Sequence, residues 1–154
     1  MIQSKLTNKV FLVLLASAPI TAALGDSHRV VVDSRLPKSA KSILDLRIQE
    51  IDLKGVTMNA ALLEIADAIY TSSYGKLHFS FAAGFAKAEV EEYVRRRIPE
   101  DKWKLRDPQI KIRMTNIPLR DVVQRLCNQS GWSYKSTPIG IAFIDDSSYF
   151  NQGR

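Results

Sequence analysis

The chain has 154 residues, a formal charge of +6 and a single cysteine. One cysteine excludes an intrachain disulfide, and so modest a charge does not by itself imply a nucleic-acid binder. The stretch beyond residue 25 is long enough for one domain with its own hydrophobic core, without disulfide staples.

Lys5 and Lys9 open the chain as a basic stretch with no acidic residue, and Val10–Leu24 is almost wholly apolar or small. Ala23-Leu24-Gly25 then offers a small-x-small cleavage site before Asp26. This is the pattern of a secretory signal peptide over residues 1–25. A spanning helix needs about 20 apolar residues, whereas this run is shorter and contains Pro19. No cysteine stands at the cleavage site, so a lipoprotein anchor is not indicated. The expectation is a bacterial protein exported by a cleaved signal peptide, periplasmic or secreted. Loss of the two lysines lowers its charge from +6 to about +4.

Residues 26–42 read as a linker, with Ser34, Pro37, Lys38 and Ser39 in a stretch patterned only by the apolar run Val30–Val32. Periodic structure is expected over residues 43–147, with a tail over 148–154. Ile48, Ile51 and Leu53 fit a first strand ending at Gly55. Met58, Ala61, Leu62, Ile65, Ala66 and Ile69 fall at helical spacing and form one apolar stripe. Thr57 reads as the start of that helix and Gly75 as its stop. Leu77, Phe79 and Phe81 alternate with His78 and Ser80, as in a strand with one buried face.

Residues 82–108 form an insertion. Ala86, Val90, Tyr93, Val94 and Arg97 can share one helical face, with Glu89, Glu91 and Glu92 pointing elsewhere, until Pro99 ends the helix. A second strand–helix segment then repeats the first. Ile110, Ile112 and Met114 alternate with Lys111, Arg113 and Thr115, and Pro118 sits where a first helical turn tolerates proline. Leu119, Val122, Val123 and Leu126 make the apolar face, and Gly131 closes the helix. Trp132 and Tyr134 start another strand, Thr137-Pro138-Ile139-Gly140 turns, and Ile141, Phe143 and Ile144 lie in the last strand.

The repetition is the strongest signal in the chain. Residues 51–67 and 112–128 match at constant offset: Ile51 with Ile112, Leu53 with Met114, Met58 with Leu119, Leu62 with Val123, Ile65 with Leu126. Two strand–helix–strand copies predict an α+β domain, with two helices packed on small mixed sheets and a helical insertion between the copies.

The stretch from Ile110 to Asp145 resembles the short N-terminal domain shared by secretins and TonB-dependent receptors. Asn116, Pro118, Leu119, Gly131 and Tyr134 carry the resemblance, and Gly55, Met58, Leu62, Ile65 and Phe79 look like the earlier half of that domain. The similarity covers about residues 47–145. It implies a docking module that recognises another envelope protein within a secretion, pilus or signalling assembly. No outer-membrane barrel or secretin ring follows within the chain, so the resemblance implies an accessory component and not the pore itself.

Arg95, Arg96, Arg97, Lys102, Trp103, Lys104 and Arg106 in the insertion are the candidate partner-binding residues. One reading is a basic, aromatic-bearing surface for an acidic protein, phosphate headgroups or another anionic polymer. The other is a solvated helix end whose charges suit the helix dipole, with Trp103 packed on the core. Catalytic patterns are missing: no HExxH, no paired cysteines or histidines, no phosphate loop and no GxSxG. Cys127 falls on the apolar side of its helix, where a buried small residue is expected. His28 lies near the start of the mature chain and His78 on an outward strand position. The expectation is therefore a non-catalytic protein with no cofactor, no metal and no specific nucleic-acid partner. A binder of an anionic surface is the alternative, and self-association as a homo-oligomer stays open.

Overall fold

The computed structural model describes residues 28–146; the expected signal peptide and the 148–154 tail lie outside them. The elements in chain order are β1 (Arg29–Val32), β2 (Arg47–Thr57), α1 (Met58–Ser72), β3 (Phe81–Phe85), α2 (Lys87–Arg95), β4 (Gln109–Pro118), α3 (Leu119–Ser130), β5 (Trp132–Thr137) and β6 (Gly140–Asp145). Short 3-10 turns occupy Ile43–Asp45 and Glu100–Lys102. Three helices and two three-stranded sheets make an α+β domain. One sheet is antiparallel in the order β1-β2-β4, and the other is mixed, in the order β3-β6-β5.

The repeated segments pair with each other. In the β2–β4 ladder Asp52 lies opposite Arg113, Ile51 opposite Met114 and Leu53 opposite Ile112. Arg113 is the residue that matches Asp52 in the repeat, and the flanking pairs exchange symmetrically about it. A local two-fold relation thus passes through the Asp52–Arg113 pair and swaps β2–α1 with β4–α3. Equivalent positions share backbone geometry. Gly55 and its counterpart Asn116 both take positive φ, +71 and +54, in a region that glycine and asparagine tolerate best. The first helical N–H of α1 donates to Pro108 O at 2.9 Å, and that of α3 donates to Leu46 O at 2.7 Å. Each helix start is therefore satisfied by the chain leading into the other copy's strand. Asp107 adds a carboxylate oxygen that accepts from Asn59 N at 2.9 Å, while Asp45 holds Arg120 across the other helix start.

Burial follows the apolar stripes. Met58, Ala61, Leu62, Ile65 and Ile69 of α1, and Leu119, Val122, Val123, Leu126 and Cys127 of α3, meet Ile48, Ile51, Leu53, Ile110 and Ile112 of the antiparallel sheet. Phe143 and Ile141 bring the second sheet into the same core. Burying each such leucine or isoleucine side chain stabilises the fold by roughly 1.5–3 kcal/mol.

Three elements differ from the sequence reading. The segment read as a linker contributes β1, because the Val30–Val32 run pairs with the outer side of β2. The first strand does not end at Gly55: the chain bulges there, between Lys54 and Val56, and the ladder continues to Thr57. The strand after α1 starts at Phe81, not Leu77. Leu77 N is occupied by the Ser73 hydroxyl at 2.9 Å, and the first contact with β6 is Ile141 N donating to Ser80 O. Residues 82–85 therefore belong to β3, and the insertion proper begins with α2. The helix limits are closer to expectation. Thr57 caps α1 through its hydroxyl, which accepts from Ala60 N, and Gly131 closes α3. The α1 stop comes slightly before Gly75, at Ser72.

Candidate functional site

The open edge of β4 and the inserted segment are the two regions that can meet a partner. β4 is the last strand of its sheet. Ile110 and Ile112 point inward and are buried, while Lys111, Arg113 and Thr115 point outward and are exposed. Lys111 shows which way the backbone faces. Its N–H donates to the Gln129 side-chain oxygen at 3.0 Å, and its C=O accepts from the Gln129 amide nitrogen at 2.8 Å. Both groups thus point away from β2. Antiparallel pairing alternates this orientation every residue, so Arg113 and Thr115 also present N–H and C=O outward. Among the described residues no strand or side chain takes up those groups. At the far end Asn116 turns through positive φ, and its O and Oδ1 accept from Arg47 Nη1 at 2.9 and 3.0 Å. The open edge is thus a short step between a glutamine plug and an asparagine kink.

The outer face beside this edge is a charge lattice. Arg29 meets Glu50 at 3.3 Å, and Asp52 is approached by Lys54 at 3.9 Å and by Arg113 at 4.0 Å. Such exposed pairs contribute little, at most about 1 kcal/mol each. Lys54 and Lys111, however, stand directly opposite one another, an arrangement that costs stability in a sheet.

The inserted segment uses most of its candidate residues internally. Arg95 holds Glu92 through two contacts, at 2.8 and 2.5 Å, and Arg96 adds a third at 2.6 Å. These hydrogen bonds, Arg95 first and Arg96 second, bring the Glu92 carboxyl down to about 2. Arg97 is exposed at the helix end with φ +54. Lys102 is exposed and pairs loosely with Asp101 at 3.5 Å. Trp103 stacks on Tyr93 at 5.0 Å, meets Phe85 edge-on at 5.8 Å, and donates its indole N–H to Ile98 O at 2.9 Å. Lys104 has an exposed side chain. Arg106 turns inward and clasps Asp145 with two contacts of 3.2 Å. Trp103 and Arg106 therefore fasten the segment to the domain, while Arg97, Lys102 and Lys104 add to the exposed positive charge that Arg95 and Arg96 keep in excess of the one Glu92 carboxylate.

Glu89 overturns the expected helix faces. It does not point outward: it is 3% exposed, beside Tyr93 on the buried side of α2, whereas Val94 is half exposed. Neither carboxylate oxygen makes a well-formed hydrogen bond. Burial, reinforced by the nearby Asp145 charge, pushes its carboxyl up to about 7, with Arg106 and the Tyr93 hydroxyl acting the other way. The i, i+4 spacing of Glu89 and Tyr93 was the sequence signal for this shared face.

The remaining reactive groups have structural settings. Cys127 is buried, and burial followed by the Asp146 charge pushes its thiol up to about 11, which suppresses the thiolate. His28 Nδ1 accepts from Lys54 N at 3.2 Å, and the exposed His78 ring lies 5.2 Å from Tyr70. Among the described residues no group of three or more His, Cys, Asp or Glu could hold a metal ion. No described helix is long and apolar enough to cross a membrane. No family model, curated protein or solved structure matches the chain.

Proposed function

We propose that this chain is a non-catalytic docking module of the bacterial cell envelope, similar to the short N-terminal domain of secretins and TonB-dependent receptors. It is exported by a cleaved signal peptide and binds another envelope protein within a secretion, pilus or signalling assembly. One observation carries the reading: Arg113 and Thr115 offer outward backbone N–H and C=O groups on an exposed edge. Such an edge binds a partner strand through main-chain hydrogen bonds, leaving alternate side chains to set specificity. The doubled strand–helix unit supports the same reading, because its two helices pack on the inner face of β4 and leave one side of the strand open.

The test is in-cell photo-crosslinking with a benzophenone side chain at Thr115, at Lys104 and, as a control, at Asp67 on α1. A product at Thr115 with an identified component of an envelope machine is the expected result. Absence of any protein product at Thr115 and Lys104, with salt-sensitive co-sedimentation on anionic vesicles, would replace docking by surface binding through Arg97, Lys102 and Lys104.

A further inference from the structure

Building on the docking reading, we infer that the β4 edge receives an extended strand of another protein, antiparallel to β4, with carboxylates beside Lys111 and Arg113. The local two-fold supplies the template. β1 already occupies the equivalent edge of β2, antiparallel, with Arg29 opposite Asp52 and Val31 opposite Glu50. The counterparts of Glu50 and Asp52 on the open edge are Lys111 and Arg113. The occupied edge thus presents two carboxylates and receives an arginine, with Arg29 at 3.3 Å from Glu50. The open edge presents two cations in the same register, so its complement carries carboxylates.

Two further observations agree. Lys54 faces Lys111 across the ladder, and an incoming carboxylate relieves that like-charge pair. The Gln129 plug at Lys111 and the kink at Asn116 leave Arg113 and Thr115 as the main-chain contact points. A strand about as short as β1 fits between them.

Charge also excludes the chain's own candidates. Residues 147–154 carry Arg154 as their single charged side chain, and residues 1–27 carry Lys5, Lys9 and one acid, Asp26. A second copy pairing β4 with β4 would bring Lys111 and Arg113 against themselves.

The experiment titrates the purified protein with fluorescein-labelled peptides alternating valine with glutamate, and valine with lysine, while NMR follows the Arg113 and Thr115 amides. The glutamate peptide is expected to bind and shift those two amides. Lys111→Glu/Arg113→Glu should lose that peptide roughly tenfold and gain the lysine peptide. Thr115→Pro removes an outward N–H that makes no bond to β2, so it should keep the melting temperature and weaken the glutamate peptide by a similar factor. Undiminished binding to the charge-reversed protein, or shifts confined to other residues, overturns the inference. So does a concentration-dependent dimer through β4. If Thr115 crosslinks to an identified envelope component while neither peptide binds, docking stands and the acidic-strand chemistry falls. If the glutamate peptide binds as described but Thr115 crosslinks to nothing in cells, the strand chemistry stands and the docking role falls.

Discussion

Glu89→Gln should stabilise this protein, and only above acidic pH. The glutamate carboxyl is buried without a well-formed hydrogen bond, and its folded-state value stands near 7 against an ordinary 4.5. A group with a raised folded value keeps its full contribution below 4.5, where it is protonated whether the chain is folded or not. That contribution is lost as pH rises through about 7. At about 1.4 kcal/mol for each tenfold change in proton affinity, the folded protein forfeits on the order of 3 kcal/mol by pH 8. Glutamine keeps the shape and removes the ionisation. Urea denaturation of both proteins at pH 4.5, 6 and 8 is the assay, read as their difference so that other titrating carboxylates cancel. The curves should nearly coincide at pH 4.5, with the variant ahead by about 2–3 kcal/mol at pH 8. A difference that does not change with pH would refute the reasoning. Because Tyr93 and Trp103 fasten α2 beside Glu89, wild-type α2 amides should also lose protection first as pH rises.

Three other perturbations have defined outcomes. Gly140→Ala places a Cβ 2.4 Å from Ser80 O at φ +153, and should cost about 2–4 kcal/mol in urea denaturation; a change below about 0.5 kcal/mol would contradict the close approach. Trp103→Ala removes the stack on Tyr93 and the edge contact with Phe85, an expected loss of about 2 kcal/mol in the same assay. Cys127, buried and with its thiol near 11, should resist iodoacetamide at pH 8 in the folded protein and react in urea, as mass spectrometry would report.

The apolar stripes made the two main helices and β2–β4 legible, because burial on one face imposes a 3.6-residue or two-residue period on the residues themselves. The repeat announced that two similar units exist. It did not say that Asp52 would meet Arg113, since pairing register is set by the packed sheet and not by either strand alone. The Val30–Val32 run is placed in a linker by the sequence because four residues, Arg29–Val32, are too few to show a period, and their strand character comes from β2. β3 was displaced because Leu77–Phe81 alternates well while Ser73 occupies the Leu77 amide. Composition drew attention to the inserted arginines, but a sequence records charge and not its partner. Asp145 claims Arg106 only once the chain is folded, whereas the spacing of Glu92 to Arg95 and Arg96 is local to one helix and already pairs them. Glu89 is the converse case: a carboxylate is ordinarily solvent-facing, and its i, i+4 spacing to the buried Tyr93 is the local sign of the face it shares.

The mutual capping of the two units has a consequence for the order of events during synthesis. β2 gains its long ladder, and α1 its first carbonyl partner, from residues 108–118. The first half of the chain has β1 beside β2 and α1 packed on them, but the other side of β2 stays open until the second half has been made. Contacts so far apart in sequence form slowly, which makes the β2–β4 ladder the slow step of closure. The same pairing joins the two halves through one ladder and two exchanged helix caps, so neither half should open without loosening the other.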